Sequence, residues 1–326
     1  MSFILPDIPE LSPNSLAMPL VQQLMKDKER LKVNIHKKEG VNIIDCGVNV
    51  SGGWAAGVLF ARICMGGLSH VDVRRADYKG FNWPSIEVMT DHPIRACLLS
   101  QFAGWPIQTR GFFAMGSGPG RAVAEAEELF EELGSDRHSE IAILCLEGDK
   151  LPTGEVLLDI LKQCQCEPAK TYILVAPTAS LVGSIQIAAR ALETGIYKLK
   201  ALSFDITSIQ SGWGICPLPP VGANGIEALG RTNDAIRYGA TVYFNVESED
   251  KTLAEIINKV PSSASIEYGR SFEEIYKQYE TFYDIDPLLF GPAKIVLTNL
   301  KSGRTFQAGE VAPDLLRASF GVNDRG

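Results

Sequence analysis

The chain has 326 residues, a mass of 35.5 kDa, 45% hydrophobic residues and a formal net charge of −8. This length suits one large domain or two medium ones, and the composition is typical of a soluble globular protein. The sequence lacks the run of about eighteen apolar residues that a membrane span needs, and its acidic balance argues against nucleic acid as a partner. Its N-terminus does not resemble a signal peptide, so we expect a cytoplasmic protein.

The cysteines and histidines give no pattern typical of a metal or redox site. The seven cysteines are odd in number, and most lie in apolar runs, which predicts buried free thiols in a reducing compartment. Cys164 and Cys166 are close in sequence but lack the spacing of a redox or zinc pair. The four histidines are scattered. We therefore predict that the protein binds no metal.

In the first part of the chain, strand and helix signals alternate. Apolar periodicity and capping residues predict helices over 15–32, 54–64 and 94–103, and strands over 41–46, 70–75 and 85–90. This alternation predicts an α/β fold of the α+β type.

A glycine-rich segment, Phe112–Ala122, reads FFAMGSGPGRA and leads into a predicted acidic helix over 121–133. Glycines let backbone amides close on an anion, and a helix start favours negative charge. Ser117 and Arg121 are therefore candidates for binding a phosphate or carboxylate. The alternative is a tight strand-to-helix turn. The segment matches neither common nucleotide-binding motif.

The most regular part of the sequence follows the predicted strands 139–146 and 172–176. We predict one unbroken helix over 181–194, ended by Gly195. Its buried face comprises Ile185, Ala189 and Leu192, joined by Ile196 if the helix continues past Gly195. Beside that face lies a second stripe, made of Gln186, Arg190 and Glu193, joined by Tyr197 in the same case.

Two interpretations of Arg190 and Glu193 remain open on spacing alone. One is a surface ion pair worth a few tenths of a kcal/mol. The other is a proton-handling pair beside a cleft. In that case a helix C-terminus would raise the pKa of Glu193, while Arg190 would lower it and orient the carboxylate.

Beyond this stretch we predict a strand over 203–209, a functional loop over 211–223, and polar residues entering a short helix at 230–236. A strand over 241–246 follows, then helices over 253–260 and 271–283, and a hairpin over 293–308.

The chain contains several long and unusual segments, which follow one another in this order: SGGWAAGVLF, ICMGGL, TDHP, FAMGSGPGRA, VAPTASLVGSIQIAARALETGIYK, GRTNDAIRYGATVY and DIDPLLFGPAKI. In content and order they resemble the methenyltetrahydromethanopterin cyclohydrolase family, over the range from about Pro19 to Phe320. Gly120 departs from the alanine expected in many relatives, but it removes no functional group.

The resemblance implies reversible hydrolysis of the methenyl bridge of methenyltetrahydromethanopterin to formyltetrahydromethanopterin. It implies no metal or redox cofactor, because the substrate is already a cationic electrophile, and the tetrahydromethanopterin-type pterin serves as the substrate carrier. Arg190 and Glu193 match the family's catalytic arginine and glutamate. Glu193 would hold the attacking water and transfer its proton, while Arg190 would orient Glu193.

The resemblance also suggests substrate contacts and an architecture. Candidate substrate-binding residues are Gln186, Ser117, Arg121, Thr232, Asn233 and Asp234. For Thr232–Asp234 the alternative is helix capping. The family is built as two α/β units facing each other across a central substrate pocket, here placed at 1–175 and 176–326, and it forms a homotrimer. We allow for C-terminal segments that return to the first unit.

Two alternative functions stay open at this point. A pterin- or folate-linked one-carbon transferase would depend on a second substrate. A non-catalytic pterin-binding protein would not need the Arg190–Glu193 pair, so the presence of both residues argues against it.

Overall fold

The computed structural model of this chain describes residues 5–6, 8–279 and 285–322. Over these ranges, no helix is both long enough and apolar enough to pass through a membrane. All seven cysteines are free, and all but Cys166 are buried. The prediction of buried free thiols is thereby confirmed for six of them.

Strands and helices alternate along much of the chain, which confirms the predicted α/β class. The strands are β1 Asn34–Lys38, β2 Val41–Asp45, β3 His70–Tyr78, β4 Phe81–Thr90, β5 Trp105–Thr109, β6 Phe112–Ser117, β7 Ala142–Glu147, β8 Thr171–Ala176, β9 Ile209–Pro217, β10 Thr241–Val246, β11 Lys294–Asn299 and β12 Thr305–Gly309. The α-helices are α1 Pro13–Lys26, α2 Lys28–Leu31, α3 Trp54–Cys64, α4 Gly120–Ala124, α5 Leu129–Leu133, α6 Gly154–Cys164, α7 Leu181–Ala188, α8 Ala191–Ala201, α9 Gly225–Gly239, α10 Asp250–Ile256, α11 Phe272–Tyr276 and α12 Pro313–Phe320. A π-helix spans Ile94–Gln101.

The chain divides into two compact units, each with its own sheet. The first unit comprises Met1–Ser69 and Ile94–Gln186, and the second comprises His70–Pro93 and Ile187–Gly326. This division differs from the predicted boundary at 175/176. The hairpin of β3 and β4 belongs to the second unit because β4 pairs with β9.

The sheet of the first unit has the order β1-β2-β8-β7-β6-β5, and its strands β2, β8 and β7 are parallel. Successive residues of a strand point to opposite faces, and here both faces are covered. Cys145 and Leu174 face a cluster with α1, α3 and α7. Leu144 and Val175 face the opposite cluster, which contains α6.

The sheet of the second unit has the order β12-β11-β10-β9-β4-β3, and only β10 and β11 run parallel among these pairs. Helix α8 packs closely on this sheet. A Cβ atom on Gly212 or Gly214 of β9 would lie 3.3 or 3.2 Å from Leu192 Cδ2. A Cβ on Gly195 would lie 3.1 Å from Phe244 Cε2. Glycine at these positions therefore lets helix and sheet approach each other.

The predicted unbroken helix over 181–194 is wrong. Helix α7 ends at Ala188, and α8 begins at Ala191 and continues through Gly195 to Ala201. Arg190 is the N-cap of α8 with φ −82° and ψ 3°, a conformation that the α-helix does not contain. The predicted apolar face is nevertheless confirmed, because Ile185, Ala189, Leu192 and Ile196 are fully buried.

Four further predictions need correction. The acidic helix over 121–133 is split into α4 and α5 because Glu125 takes a left-handed conformation with φ 48°. The strand predicted over 203–209 is wrong except at Ile209, because Ile206–Ser208 form a short 3-10 helix. Residues 209–217, most of them in the predicted loop, form β9, where the glycines serve close packing rather than a turn. The helix expected at 230–236 begins at Gly225, and Asn224 caps it. The predicted helix over 271–283 is α11, and residues 280–284 lie outside the described part.

Candidate active site

The predicted catalytic pair, Arg190 and Glu193, belongs to the second unit, and both side chains are buried. Arg190 Nη1 lies 3.7 Å from Glu193 Oε2, and the two side chains are 9% and 10% exposed. At this separation the groups form an ion pair without a direct hydrogen bond. The interpretation as a solvated surface pair is therefore wrong, because almost all of both side chains is removed from water.

The break between α7 and α8 sets the electrostatics of this pair. Glu193 lies in the first turn of α8, next to the N-cap residue Arg190. We predicted a carboxylate in the last turn of a helix, where the dipole opposes ionisation. The structure places it at the positive end, so both the helix dipole and Arg190 favour the ionised carboxylate.

Burial shifts the pKa values of two neighbouring side chains on α8. Burial, and then the charge of Glu193, raise the pKa of Tyr197 above its ordinary value. Burial lowers the pKa of Lys198 to about 8, and its ammonium group donates a hydrogen bond to the carbonyl oxygen of Leu288. This bond ties the segment around Leu288 to α8, the helix that carries Glu193.

Gln186, the predicted pterin contact, is buried at the end of the first unit. Its Nε2 donates a 3.2 Å hydrogen bond to Glu147 Oε2, and the Thr178 hydroxyl donates a 2.5 Å bond to Glu147 Oε1. Sequence reasoning did not identify Glu147. It is the last residue of a buried parallel strand, a position that becomes informative only when the strand order is known.

Ser117 and Arg121, the predicted anion ligands, are both buried in the first unit. Arg121 donates to Glu127 through Nε at 2.6 Å and Nη2 at 2.5 Å. Its Nη1 donates to the carbonyl oxygens of Leu98 and Ser100, each at 3.2 Å. These bonds give Arg121 a structural role in the core, and its predicted contact with substrate stays a prediction.

The rings of Phe102 and Phe130 complete the surroundings of Arg121. Their centroids lie 5.4 and 5.2 Å from its guanidinium carbon. A planar cation is well suited to such contacts with aromatic rings. The Arg121 side chain therefore joins the π-helix to the segment that carries α5.

Thr232, Asn233 and Asp234 lie in the middle of α9, so the alternative of helix capping is wrong. Thr232 Oγ1 and Asn233 Nδ2 both donate to the carbonyl oxygen of Leu229, at 3.1 and 2.9 Å.

Asp234 is buried and accepts three bonds of its own. Arg237 Nη1, the Phe272 backbone N–H and the Ser319 hydroxyl donate to it at 3.1, 2.9 and 2.8 Å. These contacts join α9 to α11 and α12. The substrate contacts predicted for Thr232–Asp234 stay predictions.

No grouping of three or more His, Cys, Asp or Glu side chains in the described ranges could hold a metal ion. The predicted catalytic pair is instead a buried guanidinium and carboxylate at the start of one helix. Such a pair can take up and return a proton beside an electrophile.

Comparison with known proteins gives one consistent result. The family model described as Cyclohydrolase (MCH) matches residues 12–320. A methenyltetrahydromethanopterin cyclohydrolase of Methanothermobacter marburgensis is 42% identical over 322 residues, covering 96% of this chain and 100% of the relative. Proteins with the same name from Methanospirillum hungatei and Methanococcoides burtonii are 42% and 39% identical, covering 95% and 96% of this chain and 99% of each relative. This chain therefore belongs to the cyclohydrolase (MCH) family.

Proposed function

We propose that this protein catalyses the reversible hydrolysis of methenyltetrahydromethanopterin to formyltetrahydromethanopterin. Family membership over nearly the whole chain supports the reaction class. The observation that carries the mechanism is the buried ion pair of Arg190 and Glu193 at the start of α8.

In the proposed mechanism, Glu193 acts as the general base and then as the general acid. The methenyl carbon bridges the pterin-ring nitrogen and the arylamine nitrogen as a cationic amidinium. Glu193 takes a proton from water while the water oxygen bonds to this carbon. The bond from carbon to the arylamine nitrogen then breaks as the added hydroxyl loses its proton and becomes the formyl carbonyl. The arylamine nitrogen receives the proton held by Glu193, and the hydroxyl proton is released to solvent. The formyl group remains on the ring nitrogen.

Arg190 has a supporting role in this mechanism. A guanidinium 3.7 Å from Oε2 holds the carboxylate in its ionised form and limits its rotation. The carboxylate charge also stabilises the positive methenyl carbon as water approaches it. Because the substrate is itself a cationic electrophile, this sequence of steps needs no protein-bound metal or redox cofactor.

The assembly and location of the protein form part of the proposal. Members of a family that works on a soluble pterin are expected in the cytoplasm, and we propose a homotrimer on the strength of the resemblance. Gln186 is the substrate contact that we favour, because it is a buried side-chain amide only four residues before Arg190 in the sequence.

The test is a spectroscopic assay with purified protein. The assay follows loss of the methenyl chromophore in buffer alone, with the methanopterin and folate forms of the substrate compared. It distinguishes the hydrolase from the transferase and from the non-catalytic pterin-binding protein. Turnover that needs only water supports a hydrolase. Turnover that needs a second acceptor would indicate the transferase, and saturable binding without turnover would indicate a non-catalytic pterin-binding protein.

A further inference from the structure

The sheet of the second unit presents two different faces. Gly212 and Gly214 of β9 face helix α8, because a Cβ at either position would lie within 3.3 Å of Leu192 Cδ2. Successive residues of a strand point to opposite faces, so Trp213, which lies between these glycines, points away from α8. We call the face that carries Trp213 the outer face of this sheet.

Trp213 is part of an apolar row that crosses four neighbouring strands. It pairs with Met89 on β4 and with Tyr243 on β10, and Tyr243 pairs with Val296 on β11. The side chains of directly paired residues stand on the same face, so all four belong to the outer face. The rings of Trp213 and Tyr243 meet edge to face, with their centroids 5.2 Å apart.

This apolar row is open to solvent. Met89 is 44% exposed, Tyr243 is 40% exposed, and Trp213 is half-buried. Methionine, tryptophan and tyrosine are enriched in interfaces between proteins, and a contiguous apolar patch on a protein surface marks an interaction site. The outer face therefore has the composition of a protein–protein contact.

The outer face is also large enough for such a contact. The six strands of the sheet span about 24 Å at their usual spacing, and each strand has five to ten residues that rise about 3.3 Å apiece. The face therefore covers about 600 Å² in plan. A stable interface takes about 800 Å² of accessible surface from each partner. Side chains that stand out from the sheet bring the face close to that value.

Charged side chains lie towards the two ends of the outer face. Lys294 lies two residues before Val296 on β11, and Glu87 lies two residues before Met89 on β4, so both share the face with the apolar row. Asp72 on β3 pairs with Glu87. Four strand spacings, about 19 Å along the sheet, separate Lys294 from Asp72, which is too far for the two side chains to pair within one chain.

The two ends differ in the sign of their charge. Arg74 Nε lies 2.9 Å from Glu87 Oε2, and Arg74 Nη2 lies 3.3 Å from Asp72 Oδ2. One guanidinium between two carboxylates leaves this end with a net negative charge, whereas Lys294 gives the other end a positive charge. Copies arranged head to tail in a ring place the Lys294 end of each face beside the Asp72 end of the next, and a closed ring leaves no end unmatched.

We infer that the outer face is the surface on which copies of this chain meet, with the apolar row at the centre of the contact. The Lys294 end of one copy lies beside the Asp72 end of the next. This inference rests on the proposed function, of which the homotrimer is part, and adds to it the surface that forms the contact.

The first experiment measures dissociation of the full-length protein by sedimentation velocity over a dilution series. Tyr243→Glu places a charge in the apolar row. Residues at the centre of an interface carry enough of the binding energy that the concentration at which half of the protein dissociates should rise by about 30-fold or more. The control is Leu158→Glu, the same change on α6, where the side chain is 56% exposed. That variant should dissociate at the wild-type concentration.

The second experiment reverses the charges at the two ends of the face. Lys294→Glu and Asp72→Lys each bring like charges together across the contact, so each should raise the dissociation concentration by about 5-fold. The double variant should return it towards the wild-type value, because the pair forms again with its polarity reversed. Since the two residues are too far apart to pair within one chain, such a recovery requires a second copy.

The outcomes separate this inference from the proposed reaction. A wild type that sediments as a monomer at every concentration overturns the inference and the homotrimer, while turnover on the methenyl substrate decides the reaction independently. An oligomer that Tyr243→Glu leaves as stable as Leu158→Glu does overturns the inference alone. If circular dichroism shows that Tyr243→Glu does not fold, the charge reversals decide, because a double variant that fails to recover overturns the inference.

Discussion

Replacing Arg121 by Met tests whether this residue stabilises the core or binds substrate. Methionine keeps an apolar side chain between the two phenylalanine rings but removes every hydrogen-bond donor. Glu127, whose side chain is only 12% exposed, would then be left without its partner. Removing one member of a buried ion pair costs about 3–5 kcal/mol. The carbonyl oxygens of Leu98 and Ser100 would lose a donor as well.

The assay is urea unfolding followed by far-ultraviolet circular dichroism. The unfolding free energy of a protein of this kind falls by about 3 kcal/mol per M urea. A loss of about 3–5 kcal/mol in that free energy therefore lowers the urea midpoint by about 1–2 M. The double variant Arg121→Met with Glu127→Met should recover part of the loss, because it leaves no unpaired buried charge. The control is Arg137→Met, since this arginine is 70% exposed and its pair with Glu125 is worth at most about 1 kcal/mol.

Catalysis by the folded variant completes this test. The structural role predicts unchanged kcat and KM for Arg121→Met measured without urea at a temperature where it is folded. A urea midpoint equal to that of Arg137→Met, together with a raised KM, would show that Arg121 binds substrate and does not stabilise the core.

Two further predictions concern the elements that hold the candidate site. A Cβ on Gly183 would lie 2.0 Å from the carbonyl oxygen of Pro177. Gly183→Ala should therefore destabilise the protein by about 1–3 kcal/mol. Gly225→Ala is the control, because a Cβ there would have nothing within 4 Å, and it should not lower the urea midpoint. Burial lowers the pKa of Lys198 from 10.5 to about 8, so between these pH values the unfolded chain binds more protons than the folded one. The unfolding free energy of wild type relative to Lys198→Met should therefore rise as the pH increases through this window, and a flat or falling difference in urea titrations would contradict the burial of a charged lysine.

The sequence predicted those features that depend on local apolar periodicity. The stripe of Ile185, Ala189, Leu192 and Ile196 is buried as predicted. For Arg190 and Glu193, spacing alone left a surface pair and a buried pair open, and both side chains are buried. The interruption at Arg190 could not be predicted, because an alanine-rich segment without proline or glycine has high helix propensity throughout.

Other features depend on partners that are distant in sequence. Gly212 and Gly214 indicated a loop, yet they lie in β9 because Leu192 packs closely against them. Glu147 could be identified as the hydrogen-bond partner of Gln186 and Thr178 only once β7 was seen beside β8. A polar residue at the end of a strand has no distinctive sequence signal until the strand order is known.

The turnover of Glu193→Gln on the methenyl substrate shows whether Glu193 transfers the proton. The substitution keeps the size of the side chain but removes its ability to accept a proton. We expect kcat to fall by about 10²–10⁴-fold, with KM close to that of wild type. The urea midpoint should fall, because buried Arg190 loses its carboxylate partner, so kcat is measured without urea, where the variant is folded. Glu155→Gln, which changes an exposed glutamate in the first turn of α6, should leave kcat unchanged. A Glu193→Gln enzyme as fast as the wild type would contradict the account.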